Sequence, residues 1–281
     1  MTSPIAPFLR HLDACNNARL PGGRFPFLLG GIQVGWIPPH MAQELERRDV
    51  RNEAGRLILD DPLLLEPLGR ELSQAGLFRF RAEPFDVRGE PDGPVLARLD
   101  RGALPSFGVL ANGVHLNGLV ERADGTHLWV GRRAANKQLD PNKLDHLVAG
   151  GVSAGYDIWT TLAKEGEEEC SLPPELAREA VSVGTIDYAM ARPEGLRRDR
   201  LHCFDLILPD SFRPVPNDDE VAEFMLIPIE EAFRLVRDTD EFKFNVTLVL
   251  IDLFLRRGLI DPATADGKLL RNYLNGSAPS A

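Results

Sequence analysis

Apolar and polar positions in the first third of the chain alternate between strand-like and helix-like patterns. Residues 27–37 (FLLGGIQVGWI) are typical of a strand pair, which Pro38 and Pro39 end, and residues 78–87 alternate as a half-buried strand does. Periodic apolar positions predict helices over 8–19, 41–48 and 63–75. This part therefore reads as a small α+β unit.

The rest of the chain continues the mixture of strands and helices. Ala123-Asp124-Gly125 separates two apolar runs, 114–122 and 127–132, which is a hairpin signal. Asp157 is a suitable N-cap for a helix that runs to Cys170. A Gly150-Gly151 break precedes this helix. Strands are also predicted at 201–208 and 221–227, and helices at 175–181, 229–237 and 245–257. The pattern predicts an α/β or α+β fold in which helices cover a mixed sheet.

A domain boundary is expected near residues 101–108, where Gly102, Pro105 and Gly108 interrupt the pattern. The prediction is an N-terminal α+β domain at 1–110 and a second domain at 111–258. Residues 259–281 are predicted to be a C-terminal tail, frayed over its last residues.

Composition narrows the classes of function. The formal net charge is −10, a poor fit to a protein that binds duplex nucleic acid. A small anionic substrate stays compatible with this charge, because a bound divalent metal reverses the local field. The three cysteines include no Cys-x-x-Cys pair, which favours a reducing compartment. No signal peptide or membrane-length apolar run is recognised, so we expect a cytoplasmic protein that does not enter membranes.

The segment with the clearest chemistry is the helix that follows Asp157. Glu165, Glu168 and Glu169 fall within an arc of roughly 100° on one helix face. Like charges at this spacing repel one another, and the helix C-terminus disfavours anions. A nearby cation would resolve the conflict, since carboxylate oxygens are the ligands that Mg²⁺ and Mn²⁺ prefer. The alternative is a solvated acidic face.

The spacing of these glutamates resembles the signature of the Nudix superfamily. That signature is Gly, five residues, Glu, seven residues, then Arg-Glu-apolar-x-Glu-Glu-x-Gly-apolar. Counted from Gly150, the three glutamates Glu165, Glu168 and Glu169 match in place. Three positions depart from it, where Arg, Gly and the first Glu are usual: Lys164, Ser171 and Tyr156.

Other segments are similar to one branch of this superfamily, the thiamine-pyrophosphokinase-related Nudix proteins. They are HLDACNN (11–17), VGWIPP (34–39), GVHLNGLV (113–120), GRRAANK (131–137) and KLDHLVAGGV (143–152). The branch carries an extra N-terminal domain and tends to lack the first Glu of the signature. The resemblance implies a Nudix α/β/α sandwich with a mixed sheet, preceded by a smaller α+β domain.

The resemblance also implies roles for particular residues. Glu165, Glu168 and Glu169 would bind Mg²⁺ or Mn²⁺, and Lys164 would orient a glutamate or form a simple intrahelical pair with Glu168. A carboxylate from a later loop can take the proton of the attacking water, and Glu220 is the candidate. Its alternative is a solvated loop acid.

Basic residues shortly before the signature are candidates to meet substrate phosphates, or only balance the acidic surface. They are Arg132, Arg133, Lys137 and Lys143. Tyr188 is a candidate to lie against a substrate base, with ordinary packing as the alternative. His115, His146 and His202 lack the spacing of a metal site and are interpreted as structural or surface residues.

The leading hypothesis is a metal-dependent hydrolase of a small organic diphosphate, with thiamine diphosphate or an analogue indicated by the branch. Nucleoside diphosphate sugars and dinucleotides remain open. The second hypothesis, motivated by the three departures from the signature, is a catalytically weak ligand-binding or regulatory module on the same scaffold. The N-terminal domain is expected to shape the substrate pocket or a homodimer interface.

Overall fold

The computed structural model describes residues 5–217 and 219–276. Helices in the N-terminal part are α1 (Ala6–Cys15), α2 (Pro39–Glu46), α3 (Leu65–Gln74) and α4 (Leu104–Phe107), with a 3₁₀ turn at Pro62–Leu64. Strands there are β1 (Phe25–Leu29), β2 (Ile32–Ile37), β3 (Arg51–Glu53), β4 (Arg56–Leu59), β5 (Pro84–Val87) and β6 (Ala97–Asp100).

The N-terminal sheet has the strand order β2-β1-β4-β3, in which β1 and β4 run parallel, while β5 and β6 form a separate antiparallel pair. Its core is one buried cluster that includes Phe27, Leu57 and Phe107. Helix α1 belongs to a different core: Phe8 and Leu12 pack in the larger domain described next. The apolar face of α1 therefore ties the chain start to the second domain.

The second part of the chain contains the larger sheet and its helices. Its strands are β7 (Leu110–Arg122), β8 (Gly125–Arg133), β9 (Leu144–Asp145), β10 (Val148–Gly151), β11 (Val181–Arg192), β12 (Gly195–Ile207) and β13 (Val221–Pro228). Its helices are α5 (Ile158–Cys170), α6 (Pro174–Ala177), α7 (Ile229–Asp238), α8 (Val246–Arg256) and α9 (Ala265–Leu274).

This sheet has the order β11-β12-β7-β8-β13, with β10 paired to β7 and β9 paired to β8. Strands β7 and β12 are parallel, so the sheet is mixed. On one face, Leu162 of α5 packs against Leu116 and Phe204. On the other, α1, α7, α8 and α9 pack against residues such as Leu119 and Leu201. The predicted α/β/α sandwich is confirmed.

Several local predictions are also confirmed and others are wrong. The hairpin at Ala123-Asp124 joins β7 to β8, and Asp157 caps α5. The strand predicted at 78–87 exists only as β5, and the helix predicted at 175–181 is only the short α6.

The predicted tail is wrong over Ala265–Leu274, which forms α9 and buries Leu270 and Tyr273. Its leucines and tyrosine complete the core over α1 and α8, so this segment is part of the domain. The end expected to fray is residues 275–281, of which residues 277–281 lie outside the described residues. Over the described ranges, the helices are too short or too polar to cross a bilayer.

Candidate active site

Helix α5 is fixed at both ends by short-range hydrogen bonds. At its start, Asp157 Oδ1 accepts from the backbone N–H of Thr160 at 2.7 Å, as an N-cap does. At its end, Ser171 adopts a left-handed φ of 55°, and the Leu172 N–H donates to the Gly166 carbonyl at 2.9 Å. These caps fix the helix that carries the glutamates.

Strand β7 changes its partner along one edge, which opens a gap in the sheet. Residues 113–116 of β7 pair with β10, whereas residues 118–122 pair with β8. Beyond this change, β8 pairs with β9 and β13. The edge of β10 that faces away from β7 is therefore open to the helix above it, and α5 places its glutamates there.

Two of the three glutamates lie directly against β10. The carboxyl group of Glu165 rests on Gly150, where an added Cβ would lie only 2.4 Å from Cγ, Cδ and Oε2 of Glu165. Glu169 is only 7% exposed, and its Oε2 accepts a hydrogen bond from the Ala149 N–H at 2.9 Å. Glu168 is exposed and binds Lys164 at 2.5 Å. The absence of a side chain at Gly150 therefore makes room for the carboxyl group of Glu165.

Burial makes the negative charges at Glu165 and Glu169 costly. Desolvation raises the pKa of Glu169 well above its ordinary value. The hydrogen bond from Ala149 lowers this pKa, whereas the charges of Asp145, Glu165 and Glu220 raise it. Desolvation also raises the pKa of Glu165, although Lys164 opposes the shift. Two carboxylates with raised pKa values on one side of β10 fit a cation, which would restore their charged forms.

The charge of the predicted loop carboxylate Glu220 contributes to the raised pKa of both Glu165 and Glu169, as the smallest of the causes. Lys137 Nζ pairs with Glu220 at 2.6 Å. The structure thus brings together two candidates that are far apart in sequence.

The remaining basic candidates occupy different places. Arg133 donates to Asp145 Oδ2 at 2.9 Å, and Lys243 donates to the same oxygen at 3.0 Å. Arg132 pairs with Glu223 on the neighbouring strand at 3.0 Å. Of the other two candidates, Lys143 is half-exposed and Tyr188 is buried. The Tyr188 hydroxyl contacts Asp199 and Arg197, away from the glutamates.

Two histidines that looked unrelated in sequence meet in the core. The Nδ1 atoms of His115 and His146 are 2.9 Å apart, and burial lowers the pKa of both imidazoles, to about 4 for His146. Among the described residues, His115, Asp145 and His146 are the group of three that brings metal-type ligand atoms within 4.8 Å of one another.

Sequence spacing does not reveal this group, because the pairing of β7 with β10 brings His115 to His146 across 31 positions of the chain. A cation here would compete with Arg133 and Lys243, which already share Asp145. We therefore interpret the cluster as a neutral imidazole pair beside a compensated carboxylate. The ligand atoms of Glu165, Glu168 and Glu169 do not all lie within 4.8 Å of one another. Glu168 instead binds Lys164.

The N-terminal domain contacts the loop between β10 and α5. The Phe85 ring lies against Gly151, and the Ala154 N–H donates to the Pro84 carbonyl at 2.8 Å. Arg81 donates to Gln138 at 2.7 Å. Strand β5 therefore borders the approach to the glutamates, a contact that sequence patterns do not reveal.

Comparison with known proteins gives consistent results. A family model described as the NUDIX domain matches residues 113–248. Nudix hydrolase 24, chloroplastic, from Arabidopsis thaliana is 34% identical over 277 residues, which cover 93% of this chain and 75% of the relative. Nudix hydrolase 20, chloroplastic, from the same plant is 32% identical over 285 residues, which cover 94% of this chain and 76% of the relative. Both alignments include the N-terminal domain.

A crystal structure of a Deinococcus radiodurans protein aligns with a TM-score of 0.47 at 17% identity, covering 60% of this chain and 97% of that chain.

Proposed function

The chain belongs to the Nudix hydrolase family, and from this premise we propose that Glu165, Glu168 and Glu169 hold Mg²⁺ or Mn²⁺ in a site that hydrolyses a small organic diphosphate. The observation that carries the proposal is the buried carboxylate of Glu169. It converges with Glu165 and receives one hydrogen bond, from Ala149. Such charges call for a cation.

The residues present fit a hard divalent ion, because they offer carboxylate oxygens and no competing sulfur. Such an ion would neutralise diphosphate charge and lower the pKa of a water molecule. Glu169 is anchored by the Ala149 N–H, and Lys164 holds Glu168 at 2.5 Å and Glu165 at 3.3 Å. Lys164 therefore positions two glutamates.

We assign Glu220 as the carboxylate that takes the proton of the attacking water. Lys137 Nζ pairs with Glu220 at 2.6 Å and is itself within reach of a phosphate near the glutamates. Arg133 and Arg132 are tied to Asp145 and Glu223, so they support the site from farther away. A cytoplasmic location and a homodimer stay predictions.

For the substrate, we propose thiamine diphosphate or an analogue. The support is the resemblance of segments in both domains to the thiamine-pyrophosphokinase-related branch. The extent of the Arabidopsis alignments, which include the N-terminal domain, is compatible with that assignment. The contact of Phe85 with Gly151 gives that domain a route to influence which group is accepted.

The test is phosphate release from a panel of organic diphosphates with Mg²⁺ and Mn²⁺, for wild type and Glu165→Gln. The matched control is Glu167→Gln, because Glu167 is exposed on the same helix and points elsewhere. We expect Glu165→Gln to lose at least about 100-fold in rate and to weaken Mn²⁺ binding measured by calorimetry. Equal rates in the three proteins would show that this site does not catalyse the reaction.

A further inference from the structure

A cavity of about 540 Å³ lies between the two domains. The N-terminal domain contributes Trp36 and Gln33 of β2, and Arg88 after β5. The larger domain contributes Leu110 at the start of β7 and Arg198 of β12. Its volume is in the range of small-molecule sites, and such sites are common at domain interfaces.

Arg198 is the cation of this cavity with the fewest protein partners. Its Nη1 donates to the Gly108 carbonyl at 3.2 Å, and no described carboxylate lies within salt-bridge distance of its guanidinium. Burial lowers the pKa of Arg198, whereas its neighbour Arg200 forms a two-pronged pair with Asp187. A half-buried guanidinium with unused N–H groups is suited to a ligand with hydrogen-bond acceptors.

The other lining groups add the complementary chemistry. The carboxylates of Asp187 and Glu90 accept hydrogen bonds, and the amide of Gln33 both donates and accepts. The half-buried indole of Trp36 offers an apolar wall. Hydrogen-bond donors suit ring nitrogens, acceptors suit amino groups, and the Trp36 indole suits a flat ring. The lining therefore matches an amino-substituted nitrogen heterocycle better than an aliphatic chain.

Strand register relates the cavity to the glutamates. Leu110 of β7 pairs with Arg198, and Gly113 of the same strand pairs with Gly151 next to Gly150. Three residues along β7 and two strand spacings across the sheet separate Arg198 from Gly151, about 14 Å between Cα atoms. Strand β5 spans the same interval, since Pro84 contacts the loop between β10 and α5 and Arg88, which follows β5, lines the cavity.

We propose that this cavity binds the heterocyclic group of the substrate, with Arg198 as its specificity-determining residue, while the glutamates hold the diphosphate. This deepens the proposed function and rests on it. The substrate class is then a diphosphate joined to an amino-heterocycle. Because residues of both domains line the cavity, both domains would contribute to recognition of the heterocycle.

The kinetic test compares wild type, Arg198→Gln and the control Arg237→Gln on thiamine diphosphate, ADP-ribose and isopentenyl diphosphate. Arg237 is a matched control because it is exposed on α7 and outside the cavity. We expect Arg198→Gln to raise KM about 10-fold for whichever heterocyclic compound is cleaved, with a smaller effect on kcat. An equal effect on isopentenyl diphosphate, or no effect, would overturn the assignment.

A binding test separates this inference from the catalytic one. Calorimetry with thiamine and adenosine, which lack a diphosphate, should show binding of at least one compound that Arg198→Gln and the cavity-filling Leu110→Trp both weaken. Circular dichroism melting verifies that the variants fold. If both variants bind the heterocycle of the cleaved substrate as tightly as wild type does, the cavity is not its binding site. This conclusion would hold whether or not the glutamates are catalytic. Binding that does not compete with substrate identifies a separate ligand and also overturns the proposal.

Discussion

Replacing Gly150 with alanine should inactivate the site while leaving the fold intact. The new Cβ would lie 2.4 Å from three atoms of Glu165. Nonbonded heavy atoms need roughly 3.5 Å, so the carboxyl group must move by about 1 Å. A displacement of that size at a catalytic group costs on the order of 100-fold in kcat/KM, or about 2.7 kcal/mol of transition-state stabilisation.

Folding should change little in this variant. Gly150 has no left-handed φ, so alanine is compatible with its backbone. The side chain of Glu165 is 20% exposed and can swing toward solvent. We therefore expect the free energy of unfolding to change by less than about 1 kcal/mol.

The assay is steady-state hydrolysis with Mn²⁺, together with chemical denaturation. Gly166→Ala is the matched control: it lies on α5, and its Cβ would meet the flexible end of Leu172 at 3.1 Å instead of a glutamate. It should keep near-wild-type activity. If Gly150→Ala is as active as Gly166→Ala, the position of Glu165 on β10 does not matter for catalysis and the reasoning is refuted.

Two further predictions concern the buried polar cluster. The pKa of His146 is lowered to about 4 in the folded protein, whereas its pKa in the unfolded chain is about 6.5. The neutral, buried imidazole therefore contributes fully to the free energy of unfolding above about pH 6.5. This contribution, on the order of 3 kcal/mol, is lost as the pH falls toward 4. Denaturation at pH 7 to 4.5 should show a shallower loss for His146→Gln, and identical slopes would contradict this. Lys243→Met leaves Asp145 with Arg133 as its remaining cation and should cost roughly 3 kcal/mol. The double variant Lys243→Met with Asp145→Asn should recover part of that loss in chemical denaturation. If the single and double variants are equally stable, the prediction is contradicted.

Local patterns predicted the elements that depend on neighbours in sequence. Asp157 caps α5 through a bond to Thr160, three residues away, so both residues are visible in one short window. The hairpin at Ala123-Asp124 is equally local. Strand β11 was missed because residues 181–192 interleave small, polar and apolar side chains, and its pairing with β12 is settled only after the chain turns back.

Helix α9 was missed for a related reason. Its sequence, ADGKLLRNYL, is too polar to predict burial by itself. Leu270 and Tyr273 become core residues only because α1 and α8 present an apolar surface to them. Helix α1, likewise, was assigned to the N-terminal domain by its position in the chain, whereas its apolar face packs in the other core.

For the site, the sequence by itself determined that Glu165, Glu168 and Glu169 share a helix face, because helical geometry converts spacing directly into direction. Tertiary structure alone decided that Glu169 is buried against Ala149, that Glu165 rests on Gly150, and that Glu220 pairs with Lys137. It also brought His115 to His146 and formed the cavity at Arg198. The physical reason is that desolvation and close approach depend on atoms supplied by distant segments, and a local pattern carries no information about them.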